Sequence, residues 1–296
     1  MKASKKLQNP STSNVFVKAT MMPLENVLCQ DMALKVGSDS INNVIISNGK
    51  IVNLVSDSYG FIKNQDFFGG FEEILKSEHI KYEMIQKNYA DRQFTVDYIL
   101  EGELFVNSKF AEKYKNSDMI KPKLRLTNSY DGKVNLAGYF GFFRQVCSNG
   151  LHVSTNDLAF NIRKTKKNLE IVFPSMTEML ENYKKNDMVK IFRKFEVLAE
   201  KTIKKEELNH IIKNLSTNIF MFEKSEKNHE PSINANFVLD VIARESDLLK
   251  VKPNAWIVYN AMNELIYSDD RNKKTDSQRR SLDVNLFANV EELFLS

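Results

Sequence analysis

The hydrophobic periodicity of this chain changes once, at Pro174, and that change limits the folds it can adopt. Before Pro174, short apolar runs alternate with polar residues and are separated by turn dipeptides, chiefly Asn48-Gly49 and Asp131-Gly132. This pattern is typical of antiparallel strands. After Pro174, apolar residues recur at the spacing of amphipathic helices. The sequence therefore predicts an α+β fold, with a twisted antiparallel sheet in the N-terminal half and a largely helical C-terminal half.

Three parts are expected along the 296 residues: a flexible polar N-terminus over 1–14, a β-rich α+β part over 15–175 and a helical part over 176–296. The last two can form one continuous domain. Hairpins are predicted over 43–56, 80–102 and 124–139, and further strands are predicted on both sides of the basic run 163–167. Helical spacing predicts helices over 65–79, 140–150, 176–214, 233–249, 255–267 and 284–295.

Composition excludes several classes of protein. The net charge of +4, from 42 basic and 38 acidic residues, is too small for a protein that coats DNA by charge alone. The two cysteines are far apart in the sequence and indicate a reducing compartment without a disulfide framework. The four histidines are scattered and lack the spacing of metal ligands. No apolar run is long enough to cross a membrane. We therefore expect a cytoplasmic protein without a metal or a cofactor.

One segment, LTNSYDGKVNLAGYFGFFRQVCSNGL (126–151), carries a specific series of residue types. It resembles the phage- and plasmid-borne family known as domain of unknown function 932, in which Asn-Ser-x-Asp-Gly precedes an apolar segment and Phe-Arg-x-Val-Cys-x-Asn-Gly-Leu. Two further blocks, near residues 59–64 and 256–264, are similar to other segments of that family. The principal matching residues are Tyr59, Asn64, Asn128, Asp131, Gly132, Arg144, Cys147, Asn149, Gly150, Trp256, Tyr259 and Asn260.

The resemblance spans roughly residues 45–290 and implies a mobile-element origin, with a bacterial host cell as the setting. It implies no function. This chain has Ser268-Asp269 where many family members carry a histidine, so any role of that histidine does not transfer.

Three residues of the segment have both a structural and a chemical interpretation. Asp131 either shapes a tight turn or has a chemical role, as a metal ligand or as a general base. Arg144 either forms a buried ion pair, with Asp131 as a candidate partner, or contacts a phosphate or a base of a nucleic acid. Cys147 is either a small buried hydrophobe or a nucleophile that needs a base such as His152.

Basic residues form two candidate nucleic-acid contacts. Lys121, Lys123 and Arg125 fall on one face of a predicted strand, and Tyr130 and Tyr139 are candidates for stacking on bases beside them. The second contact is a predicted loop that could equally be a solvated hairpin tip, and its basic residues are Arg163, Lys164, Lys166 and Lys167. In the C-terminal part, Trp256 and Tyr259 are expected to pack in the core.

These features predict a mobile-element protein that binds single-stranded DNA in replication or recombination, with strand annealing by a homo-oligomer as a more specific form. The predicted contacts are the two basic groups together with Arg144. The alternative is a counter-defence protein that binds and blocks a host protein without any nucleic-acid role. An enzymatic role is not favoured, because no catalytic constellation assembles from the sequence.

Overall fold

A computed structural model of the chain describes residues 16–24, 41–89, 91–101, 120–144, 150–151, 159–220, 233–268 and 274–295. The fold is α+β, as predicted, with the strands in the N-terminal half and most helices in the C-terminal half. Residues 1–14, for which flexibility was expected, lie outside the described residues. None of the described helices is long and apolar enough to cross a membrane.

The first sheet has three antiparallel strands in the order β1-β2-β3. They are β1 (Ala19–Pro23), β2 (Asn43–Ser47) and β3 (Lys50–Val55). The predicted hairpin over 43–56 is confirmed, and its turn residues Asn48 and Gly49 have φ angles of 51° and 74°. Asn and Gly are the residues that tolerate this left-handed backbone best, which is why the dipeptide predicts the turn.

The second sheet has six strands in the order β4-β5-β6-β7-β8, and β9 also pairs with β7. Its strands confirm the hairpins predicted over 80–102 and 124–139. Their bounds are Lys81–Tyr89 for β4, Gln93–Glu101 for β5, Ile120–Ser129 for β6, Leu136–Arg144 for β7, Gly150–Leu151 for β8 and Ala159–Ile162 for β9.

Two elements differ from the sequence prediction. The helix predicted over 140–150 is wrong through Arg144, because β7 continues to that residue and Phe142 pairs with Leu151 of β8. Aromatic residues favour strands, and the sheet supplies this run with backbone partners. The strand predicted after the basic run is also wrong: Lys167–Ile171 is a 3-10 helix that leads directly into a helix.

The described residues contain seven α-helices, and their bounds agree with most of the predicted helical segments. The last helix begins at Asp276, eight residues before the predicted start at residue 284. The helices are α1 (Asn64–Ser77), α2 (Val172–Asn182), α3 (Met188–Glu200), α4 (Lys205–Phe220), α5 (Ile233–Leu249), α6 (Ala255–Tyr267) and α7 (Asp276–Leu295), with a π-helical turn, Tyr183–Asp187, between α2 and α3.

The chain divides into two compact units that alternate along the sequence. Unit 1 comprises 1–100, 124–139 and 156–181, and unit 2 comprises 101–123, 140–155 and 182–296. The change from strands to helices near residue 175 does not coincide with a single boundary between the units. Each unit has its own buried aromatic core. The core of unit 1 includes Phe67, Phe68, Phe71, Phe94 and Tyr98. The core of unit 2 includes Phe142, Phe195, Trp256, Tyr259 and Phe287.

Candidate functional site

Two polar segments of unit 1 lie side by side at one end of the β7–β9 pair. The register pairs Leu136 with Ile162, so the turn before Leu136 lies beside the residues that follow Ile162. The Asn135 side-chain amide donates to Asn161 Oδ1 at 2.9 Å and joins the two segments. We call residues 128–132 the Asp-Gly turn and residues 163–167 the basic loop.

The backbone of the basic loop is fixed by the segment before α1. The Gly60 amide donates to the Lys164 carbonyl at 3.2 Å, and the Lys166 amide donates to the Ser58 carbonyl at 3.0 Å. A Cβ atom at Gly60 would lie 2.5 Å from the Thr165 carbonyl oxygen, so this close approach requires glycine. Backbone contacts therefore fix the position of the loop against the segment before α1.

Lys164 points into the protein rather than into solvent. Its side chain is buried, and Nζ donates to the Ser129 carbonyl and, at 3.1 Å, to Ser129 Oγ. Burial lowers the pKa of Lys164 to about 7, and the Asp131 carboxylate opposes that shift. Lys164 was predicted to contact nucleic acid, but its amine holds the basic loop to the Asp-Gly turn instead.

The other charged side chains of the basic loop are exposed. Arg163, Lys166 and Lys167 all face solvent, and so does Lys133 in the turn that precedes β7. Asp57 lies near this group: hydrogen bonds from Asn42 and Asn43 lower its pKa, and the charge of Lys166 adds a smaller contribution. The exposed surface therefore carries a basic group, and the Asp57 carboxylate lies near its Lys166.

The expected basic stripe on β6 is not exposed. Lys123 and Arg125 are only 3% and 5% accessible, because β6 lies between β5 and β7 and is buried on both faces. Arg125 forms a two-pronged ion pair with Asp97, with nitrogen–oxygen distances of 2.5 and 2.6 Å. The half-buried Lys121 donates to Glu101 at 2.9 Å. The sequence correctly placed the three basic residues on one face of the strand. The expectation that this face is accessible to a phosphate was wrong.

Arg144 is a buried structural residue of unit 2. Its two terminal nitrogens donate to the two carboxylate oxygens of Glu245 at 3.0 and 2.9 Å, and its guanidinium lies 5.7 Å from the Trp256 ring centroid. Neither Arg144 nor Glu245 is accessible to solvent. The prediction of an ion pair is confirmed, but its partner is not Asp131, and the predicted phosphate contact is not available in this conformation.

Asp131 instead shapes the Asp-Gly turn. Its carboxylate accepts from the Lys133 amide at 3.0 Å and from the Gln93 side chain at 3.0 Å. Gly132 follows with a φ of +73°, a conformation that other residues rarely adopt. These contacts are those of the turn interpretation. Among the described residues, no group of three or more His, Cys, Asp or Glu side chains could hold a metal ion.

The tyrosines expected to stack on bases are buried. Tyr130 is 1% and Tyr139 is 7% accessible. The Tyr130 hydroxyl accepts a hydrogen bond from the Asn64 amide at 2.8 Å, and burial raises the pKa of Tyr130 to about 12. The prediction that they form an exposed stacking surface is therefore wrong, and Tyr130 instead fixes the start of α1.

The first half of the family motif forms one hydrogen-bonded cluster in unit 1. The Asn128 side chain donates to Asn64 Oδ1 at 2.7 Å and accepts from the Ser129 amide at 2.8 Å. Tyr59 pairs with Thr165 of the basic loop in an isolated bridge, and burial raises its pKa to about 12. The motif residues thus order the Asp-Gly turn, the start of α1 and the basic loop together.

The second half of the motif lies in the core of unit 2, as expected for Trp256 and Tyr259. Both residues are fully buried, and the Tyr259 hydroxyl donates to Asp283 at 2.9 Å. The Asn260 side chain donates to the Trp256 carbonyl one helical turn earlier, at 2.7 Å. Gly150 lies in β8. Cys147, Asn149 and His152 lie outside the residues whose side chains the structure describes.

Sequence reasoning missed the carboxylate partners of the buried arginines. A signal existed for Glu245, because it continues the helical stripe formed by Val238, Val241 and Ile242, and a charge on such a stripe requires a buried partner. Asp97 carried a weaker signal, since it interrupts the apolar run of β5. The Ser129 contact of Lys164 had no signal, because it depends on the β7–β9 register.

A comparison with family models matches residues 52–286 to the family described as Domain of unknown function (DUF932). No curated protein and no solved structure matches the chain. The match covers most of the chain, including the Asp-Gly turn, the basic loop and the Arg144–Glu245 pair. The chain therefore belongs to the DUF932 family.

Proposed function

We propose that this protein binds single-stranded DNA through its sugar-phosphate backbone, with the exposed side chains of the basic loop as the principal contacts. Arg163, Lys166 and Lys167 supply the charge, and Lys133 extends the same surface. The other basic residues expected at such a site are engaged within the fold. Lys121 donates to Glu101, and four are buried: Lys123, Arg125, Arg144 and Lys164.

One observation carries the proposal: hydrogen bonds fix the basic loop in place while three of its charged side chains face solvent. Backbone hydrogen bonds from Gly60 and Lys166, together with the Lys164–Ser129 contact, order the loop before any ligand arrives. A preordered loop loses little conformational entropy on binding, which increases the net affinity that a few phosphate contacts can supply. Within the described part of the chain, none of these three exposed cations forms a buried ion pair.

The chemistry of this surface favours sequence-independent binding. Arginine and lysine contacts to phosphate position a nucleic acid but do not read its bases. Since Tyr130 and Tyr139 are buried, stacking by these two residues adds nothing. Affinity should therefore depend strongly on salt and weakly on sequence, as a protein acting on replication or recombination intermediates of a phage or plasmid requires. Strand annealing is the more specific activity within this proposal.

The test is fluorescence anisotropy with a labelled single-stranded oligonucleotide of mixed sequence. The test variant is Arg163→Glu/Lys166→Glu/Lys167→Glu, which reverses the exposed charges of the basic loop. Its matched control is Lys201→Glu/Lys204→Glu/Lys205→Glu, which makes the same charge change at three exposed lysines of unit 2. Circular dichroism and the melting temperature establish that both variants are folded.

The proposal expects the loop variant to lose most of its affinity and the control variant to keep it. Equal losses would mean that only net charge matters, and no binding by the wild type at low salt would exclude DNA as the ligand. In the latter case, the alternative of a counter-defence protein gains support from a stable complex with a host protein that survives reversal of the loop charges. An unlabelled duplex competitor then measures whether the single strand is preferred.

A further inference from the structure

The second sheet ends in a long strand, and its outer edge has no strand neighbour among the described residues. In the described part of the chain, β4 is hydrogen-bonded only to β5, and it is nine residues long. On one face of β4, Tyr82 packs toward α1, donating from its hydroxyl to Glu72 at 3.2 Å. Lys81, Glu83, Ile85 and Lys87 project from the opposite face, and all are exposed. An edge of this kind offers unpaired backbone groups to another strand.

The exposed residues are arranged symmetrically around Ile85. Glu83 precedes it by two positions and Lys87 follows it by two, so the three side chains share one face of the strand. Neither Glu83 nor Lys87 forms an ion pair with any described residue. Ile85, at 36% accessibility, is one of the few large apolar side chains exposed in the described residues.

We propose that β4 pairs with β4 of a second copy of this chain, antiparallel and centred on Ile85. In that register each Glu83 lies opposite Lys87 of the other copy, so the pair contains two opposite-charge contacts. The two Ile85 side chains lie opposite each other at the dyad. Directly opposed residues of an antiparallel pair are close enough for both kinds of contact. The resulting two-fold dimer joins the two six-stranded sheets edge to edge.

The alternation of charge is what selects this partner and orientation. Charged side chains on a strand edge, especially lysines, commonly protect it against association with another strand. Here the signs alternate about a central apolar residue, so a second copy meets complementary charges only in the antiparallel orientation. A parallel in-register pair would place like charges together and is disfavoured. The inference does not depend on DNA binding.

The test uses the full-length protein in analytical ultracentrifugation across a concentration series. The wild type should show a reversible dimer. Glu83→Lys and Lys87→Glu should each raise the dimer dissociation constant by roughly tenfold or more, because both symmetric contacts become repulsive. The double variant Glu83→Lys/Lys87→Glu should restore the wild-type constant. A mixture of the two single variants should also form heterodimers, since each supplies the charge that the other needs.

The contact itself is tested by crosslinking Ile85→Cys under an added oxidant, in a chain whose two native cysteines are replaced by serine. The control is Ile51→Cys, which places a thiol at a more exposed position, 52% accessible, on the edge strand β3. Rapid crosslinking at position 85 but not at position 51 is expected. A wild type that stays monomeric overturns the proposal. So does a dimer that tolerates both single charge reversals, or one that crosslinks equally at both positions. DNA binding by a monomeric wild type would overturn only the dimer.

Discussion

Removing the charge of Arg144 should destabilise unit 2 without touching the DNA-binding surface. The Arg144→Met change keeps most of the side-chain volume but removes the guanidinium that donates to both oxygens of the buried Glu245 carboxylate. Breaking a buried ion pair in this way typically costs about 3–5 kcal/mol. Loss of the guanidinium beside the Trp256 ring adds roughly 0.5–2 kcal/mol. Against a total stability of about 5–15 kcal/mol, this is a severe loss.

The double variant Arg144→Met/Glu245→Met separates the two contributions. It removes both charges and fills the space with apolar groups, a replacement that is often neutral or stabilising by about 1–4 kcal/mol. We therefore expect the double variant to recover much of the stability that the single variant loses. A recovery of this kind identifies the cost as an unpaired buried carboxylate rather than a packing defect.

The assay is urea unfolding followed by tryptophan fluorescence. The chain has one tryptophan, Trp256, so the signal reports on the core of unit 2 near the ion pair. The anisotropy assay is run in parallel on the folded single variant. A loss below about 1 kcal/mol would refute the buried-pair argument. A variant of normal stability that no longer binds DNA would return Arg144 to the role of a phosphate contact.

Three further perturbations address the basic loop. Replacing Lys164 with Met should remove a pH dependence of the free energy of unfolding. The pKa of Lys164 is about 7 in the folded chain and about 10.5 in the unfolded chain, so the unfolded chain binds more protons between these values. Wild-type stability should therefore rise with pH relative to the variant, by up to about 1.4 kcal/mol per pH unit. Urea melts of both proteins between pH 6 and pH 9 (approximate limits chosen below tyrosine ionisation) check this, and parallel curves would contradict it. Gly60→Ala forces a Cβ against the Thr165 carbonyl, so it should lower the stability by about 1–3 kcal/mol and weaken DNA binding. Unchanged melting and unchanged affinity would show that the loop moves freely. Asp57→Asn removes the carboxylate near Lys166, so it should strengthen DNA binding roughly two- to fivefold when affinity is measured by anisotropy. Weaker binding would show that Asp57 orders the surface instead.

The elements that the sequence predicted well are those with a local cause. The α6 helix has an N-terminal cap, since Asn254 Oδ1 accepts from the Ile257 amide at 3.0 Å, and it was predicted with its observed bounds. The β2–β3 hairpin is likewise set by its Asn48-Gly49 turn. Local hydrogen bonds and backbone preferences within a few residues decide both elements, so one sequence carries the necessary information.

The errors come from contacts between distant segments. Alternation correctly placed Lys123 and Arg125 on one face of β6, but only the sheet order shows that this strand is internal and both faces are buried. The end of β7 was mistaken for a helix because its pairing with Leu151 is not a property of the aromatic run itself. Burial depends on what covers a residue, and periodicity does not contain that information.

The most direct test of the account is the salt dependence of single-stranded DNA affinity for the wild type and for Arg163→Glu/Lys166→Glu/Lys167→Glu. Each phosphate contact contributes about 0.7 to the slope of log affinity against log salt for a single strand. If these three exposed cations are the contacts, log affinity should fall less steeply with log salt in the variant than in the wild type, and the two slopes should differ by about 2. Identical slopes would contradict the account, because they would place the phosphate contacts elsewhere on the protein.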